Sequence, residues 1–187
     1  QRLTGEVTAV RALVQSYLGN QEQAIQLSLK ALSKIQPENI FFRQLSERNL
    51  GIAYALRSQL RESAKWHENL LLSSYKLQDN DGILSAYNHL TYIRKVQGRL
   101  KEAKVIYKKA LAYIQDHGLE EYPHSIRIMA GYGHLLIQWH EIELAKTYLR
   151  KAIQLAKHTD ILLAQKAYRD LSEVFIREHD LRSALVN

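Results

Sequence analysis

One helical-hairpin pattern is written five times in this chain, centred on Ala24, Ser63, Ala103, Ala145 and Ala184. Successive centres lie 39, 40, 42 and 39 residues apart. A period of this length marks a unit that cannot bury its apolar face alone and must stack on copies of itself. Each unit reads as an apolar helix, a short break and a second helix with a small residue near its start, as in LGNQEQAIQLSLKAL at 18–32 and QGRLKEAKVIYKKAL at 97–111. The centre must be small because paired helices cross there, and Ala31, Ala110 and Ala152 repeat the demand two turns later. The breaks fall at Gly19-Asn20, Ser58-Gln59, Gly98-Arg99, His140-Glu141 and His179-Asp180. Glycine ends a helix in the left-handed conformation at little cost, so the units without it must manage with Ser or His. The expected fold is all-α, a solenoid of about five hairpins with a period of about 40 residues.

Only two prolines and eight glycines punctuate 187 residues, which favours long helices over many strands. The apolar periodicity predicts helices near 3–18, 21–35, 41–57, 60–78, 81–96, 100–117, 121–138, 142–157, 160–178 and from 181. Pro37, Asp79-Asn80-Asp81-Gly82, His117-Gly118 and Tyr122-Pro123 mark the corners between units. No Gly/Ser-rich linker interrupts the pattern, so residues 1–187 are expected to form one solenoid domain. No stretch approaches a membrane span, and no basic segment followed by an apolar run opens the chain, so neither a span nor a secretory signal is expected. The absence of cysteine excludes disulfides and thiolate metal sites and is compatible with a cytoplasmic location. Met129 is the only methionine and the fifth unit is interrupted at Asn187, which suggests a segment of a longer polypeptide.

Leu50-Gly51-Ile52-Ala53-Tyr54 in a first helix, with Gly133 repeating the small residue, resembles the leucine-glycine-x-x-tyrosine segment of tetratricopeptide (TPR) repeats. The period exceeds that family's roughly 34 residues. Units of about 40, with FFRQLSERNLGIAYALRSQLRESAKW at 41–66 and GYGHLLIQWHEIELAKTYLRKAIQLA at 131–156, are similar to the superhelical domain of the MalT-like, LuxR-type ATP-dependent transcription regulators. The resemblance implies a right-handed superhelix of TPR-like hairpins, placed between a nucleotide-binding switch and a DNA-binding helix-turn-helix. It also implies that the segment binds a small-molecule inducer or a partner protein. The alternative is a TPR adaptor for protein–protein interaction unrelated to transcription. No GxxxxGK[ST] phosphate loop occurs, so no cofactor is expected in this segment, and Gly131 and Gly133 are assigned to close helix packing.

In TPR proteins the first helix of each hairpin lines the concave side. Carried over repeat by repeat on the small centres, this selects Arg48, Ile52 and Ala55; Asn88, Tyr92 and Lys95; Arg127, Ala130, His134 and Ile137; and Arg169, Glu173 and Ile176. The expected ligand or partner groove comprises Arg48, Asn88, Tyr92, Lys95, Arg127, His134, Arg169 and Glu173. Arginine offers carboxylate or phosphate a planar fork of donors, and Tyr92 adds an aromatic face and a hydroxyl. An anionic metabolite, a sugar or an acidic peptide fits such a surface. The competing explanation is a set of solvated helix faces. The carboxylate clamp of chaperone-binding TPR proteins is matched only in part, since Ile52, His89 and Gly131 occupy clamp positions.

Net charge is +7 and the isoelectric point is near 9.5, but the basic residues are spread out rather than gathered into an arm. Lys101, Lys104, Lys108 and Lys109 on one second helix read as a solvated convex face, and direct nucleic-acid binding is not expected. Eight histidines include no H-E-x-x-H, and His134 and His140 are six apart, which turns them away from each other. No G-x-S-x-G elbow occurs. Neither a catalytic nor a metal site is expected, and the chain is not read as an enzyme. Tyr107, Tyr148, Trp66 and Trp139 are expected to pack, while self-association remains compatible with a repeat surface.

Overall fold

The computed structural model describes residues 2–178. Among these, every regular element is helical: α1 (Arg2–Tyr17), α2 (Gln21–Leu32), α3 (Ile40–Leu56), α4 (Leu60–Leu77), α5 (Asn80–Val96), α6 (Leu100–His117), α7 (Pro123–Gln138), α8 (Ile142–His158), a 3-10 turn (Ile161–Ala164) and α9 (Gln165–Arg177). Ala184, the break at His179-Asp180 and the helix expected from 181 lie outside the described residues. Backbone contacts gather the chain into two compact units, Gln1–Gly98 and Arg99–Asn187, divided at the third break.

In the first unit, α1 packs on α2, α2 on α3, α3 on α4 and α4 on α5, while α1 also meets α3 and α3 meets α5. The centres Ala24 and Ser63 have no exposed surface. Ala24, Ile25, Leu50 and Ala53 form one apolar cluster, flanked by Tyr54 and Trp66; Ala9, Ala31 and Ile35 form another. Ser63 departs from alanine because its hydroxyl donates to the Gly51 carbonyl at 2.7 Å, which satisfies a buried polar group inside the crossing. The Arg43 guanidinium donates to the Ile35 carbonyl beyond the end of α2 at 3.2 Å.

In the second unit, α7 packs on α6, α8, α9 and the 3-10 turn. The centres Ala103 and Ala145 are again fully buried. A Cβ added to Gly133 would meet Leu149 Cγ at 2.7 Å, and one added to Gly131 would strike the Tyr107 hydroxyl, so both glycines serve close helix packing. Lys146 ties α8 to the end of α9, donating to Glu143 at 3.0 Å and Glu178 at 2.7 Å. Burial opposes its charge, but the two hydrogen bonds raise its pKa above the ordinary lysine value.

Three hairpin breaks share one backbone solution. Gly19, Ser58 and His140 take positive φ of 81°, 60° and 58°. Each donates to the carbonyl three residues back, and the next residue donates to the carbonyl five back, as Gln59 does to Tyr54 at 2.9 Å and Glu141 to Leu136 at 3.0 Å. This is the Schellman closure, which satisfies carbonyls that the helix end leaves open. Gln78 (φ 55°) and Gly118 (φ 62°) close the corners after α4 and α6 in the same way.

Candidate functional site

The first-helix faces follow from the register that buries the centres. In the first unit, α3 presents Arg48, which is not a free cation: its Nη2 donates to Asp81 Oδ2 at 3.1 Å, thirty-three residues along the chain. Asn88, Tyr92 and Lys95 recur at helical spacing on α5, with Tyr92 56% exposed. Beneath this face lies a polar layer that sequence reading missed. The His67 ring is fully buried and stacks on His89, with centroids 4.4 Å apart and an interplanar angle of 8°. Neither His67 nitrogen has a hydrogen-bond partner, nor do the buried Asn49 Nδ2, Ser85 Oγ and Arg48 Nε. Burial first, then His89 and Arg48, push the His67 pKa down to about 2. Its imidazole is therefore a neutral packing group.

In the second unit, Arg127, Arg169 and Glu173 are exposed, and Glu173 pairs with Arg177 at 2.5 Å. His134 leads inward. Its Nδ1 lies 3.1 Å from Oδ2 of Asp170, a carboxylate with 1% exposure, and its Nε2 lies 3.4 Å from the Gln138 amide nitrogen. The network assigns the proton to Nδ1, leaving Nε2 to accept from Gln138. Lys166 Nζ donates to the same Asp170 oxygen at 2.5 Å, and Arg169 Nη2 stands 3.5 Å from the other oxygen, which has no hydrogen bond. Burial raises the Asp170 pKa, but the hydrogen bonds from His134 and Lys166 outweigh it, and the net shift is downward. A buried carboxylate thus orients His134 and also faces the exposed Arg169.

Two groove expectations fail. Ala130 and Ile137 are 2% and 7% exposed, because α7 is covered by neighbours on several sides and has little free face to give to a groove. Lys166, Asp170 and Gln138 are the residues that sequence reading missed. One signal existed: the position fourteen before each centre carries Val10, Asn49, His89, Gly131 and Asp170, polar in three repeats of five. Among the described residues, no group of three or more His, Asp or Glu side chains is placed to hold a metal ion, and no helix is long and apolar enough to cross a membrane.

Hairpins that close on a small centre and stack their first helices side by side define the TPR class of helical-repeat proteins. The MalT-like TPR region family matches residues 5–185, and the chain belongs to it. No curated protein sequence matches the chain significantly. Among solved structures, BtubC (BKLC) from P. vanneervenii superposes with a TM-score of 0.77 at 17% identity, covering 96% of this chain and 74% of that one. A kinesin-light-chain-like protein of nearly identical TPR-like repeats from Podosopora anserina gives 0.69 at 14% identity, covering 96% and 89%. At these identities the likeness shows the fold alone.

Proposed function

We propose that this chain is the ligand-sensing or partner-binding segment of a LuxR-type, MalT-like transcription regulator, and that its binding surface is made by the first helices. The observation that carries the reading is the second-unit network, in which His134, Lys166 and exposed Arg169 gather on the buried Asp170, with exposed Arg127 two turns before His134 on α7. Arg127 and Arg169 supply forked donors for an anionic group, and His134, held by Asp170 and Gln138, contributes an oriented ring. In the first unit, Tyr92 offers a stacking face beside Asn88 and Lys95, while Arg48 is committed to Asp81. The segment works in the cytoplasm, needs no cofactor of its own, performs no catalysis and leaves DNA to another module. Binding biases one of two states of the regulator by its differential affinity for them.

Calorimetric titration with sugars, sugar phosphates and acidic peptides tests the surface. Arg127→Ala, His134→Ala and Arg169→Ala should each weaken the binding compound by about tenfold, the loss expected for one charge-assisted contact. Unchanged affinity in all three variants would remove this face from the site. The full-length gene product tests the regulator assignment: a phosphate loop upstream and a helix-turn-helix downstream support it. A membrane anchor, kinase or chaperone module in their place would favour the adaptor reading.

A further inference from the structure

The spacing of the repeat is longest, 42 residues, from Ala103 to Ala145. The chain passes from α4 to α5 through Gln78 and Asp79 alone, but from α6 to α7 through Gly118–Tyr122, with Gly118 left-handed and Leu119 buried as an anchor. Beside this longer joint a cleft of about 670 Å³ opens between α6, α7 and α8, entirely within the second unit. That volume lies in the range of small-molecule sites. α6 and α8 are second helices of their hairpins, so the cleft is distinct from the first-helix face.

Its floor is apolar and aromatic. Met129 and Ile114 are 2% and 1% exposed, and Tyr132 meets Tyr148 edge to face at 5.0 Å. Burial, then Tyr148 and Glu141, raise the Tyr132 pKa, so its hydroxyl stays neutral. Three lysines reach the cleft with unequal duties. Lys104 is satisfied, 2.6 Å from Glu141 and 4.2 Å from the centre of the Trp139 ring. Lys108 on α6 and Lys151 on α8 have no ion pair or hydrogen bond among the described residues, yet line the same cleft from different helices. Glu120 is the remaining acid in the lining. Two cations without a partner on the lining of one aromatic-floored cleft can both be offered to a single anion.

We infer that this cleft binds a small organic anion, with Lys108 and Lys151 holding its carboxylate or phosphate and Tyr132, Tyr148 and Met129 receiving its apolar or aromatic body. The site stands independently of the first-helix surface. Phenyl phosphate and benzoate, titrated at low salt against the whole chain, separate the two anion types; inorganic phosphate and benzyl alcohol report the charge and the ring alone. One of the two aromatic anions should bind at least about tenfold tighter than either half-probe. Lys108→Gln combined with Lys151→Gln should weaken it by about tenfold or more, while the charge-matched Lys101→Gln with Lys109→Gln, outside the cleft, should leave it unchanged. Arg127→Ala should also leave it unchanged, which separates this site from the first-helix face. No binding by either aromatic anion up to about 10 mM, or an equal loss in both lysine pairs, would overturn the assignment.

Discussion

Gly51 and His67 show how one residue sets the terms for another. A Cβ on Gly51 would stand 2.5–2.8 Å from three ring atoms of the buried imidazole, so this first helix needs glycine because the facing helix carries His67. In the first hairpin repeat the same two register positions hold Ala12 and Ser28, both fully buried. Gly51→Ala alone should destabilise by about 1–3 kcal/mol through overpacking, and His67→Ser alone should leave a cavity. Together they reproduce the first hairpin's pair, so a urea-denaturation double-mutant cycle should show at least about 1 kcal/mol of favourable coupling. Strict additivity would mean that the ring and the glycine are not in contact. Gly51 was legible in the sequence as part of a TPR-like segment. The requirement that His67 places on it was not, because the two are sixteen residues apart and meet only when the helices cross.

The helix ends are where local sequence speaks most clearly. All four described breaks lie where the small-centre register puts them, and each has a left-handed residue, even at Ser58 and His140. Since a side chain in that conformation costs about 1–2 kcal/mol relative to glycine's freedom, Ser58→Gly and His140→Gly should each stabilise by about 0.5–1 kcal/mol in thermal melts. Gly98→Ala, at φ 71° with open space around the added methyl, should destabilise by about 1 kcal/mol through backbone strain alone. A fall in melting temperature for both glycine variants would show that Ser58 and His140 have contacts worth more than the strain. Elsewhere the boundaries shifted for definable reasons. The helix expected over 121–138 starts at Pro123, whose fixed φ suits the first helical position. The one expected over 160–178 opens with a 3-10 turn, because the Asp160 side chain accepts from Leu162 N–H at 2.9 Å. At 79–82 the turn-forming composition misled: the turn is confined to Gln78 and Asp79, and Gly82 is already inside α5, packed on Ser74.

For the whole molecule, acid is the condition under which two buried titratable groups, His67 and Asp170, act together. Folded His67 stays neutral down to about pH 2, whereas in the unfolded chain it takes a proton below about pH 6.5, so stability falls as pH drops through the upper value. Asp170, held below its ordinary value, adds stability that is present above about pH 4 and lost at lower pH. Both effects have the same sign. From pH 7 to pH 5 the His67 share is about 2 kcal/mol, measurable as a shift in urea midpoint. His67→Leu, which borrows the residue at the equivalent Leu149, should flatten that dependence without loss at pH 7. A variant as acid-sensitive as the parent would place the sensitivity elsewhere.

The repeat determined, from sequence alone, the all-helical class, the hairpin unit, its small buried centres and the places where the chain reverses, because each depends on residues within a turn or two of one another. It also named the first-helix residues, and its register contained Asp170 without saying what Asp170 touches. Tertiary structure decided which of those residues have their charge already committed. Arg48 belongs to Asp81 and His134 to Asp170, thirty-three and thirty-six residues away, while Ala130 and Ile137 lie under neighbouring helices. Partnership and burial are properties of surfaces brought together from distant parts of the chain, and helical spacing states only which residues share a face.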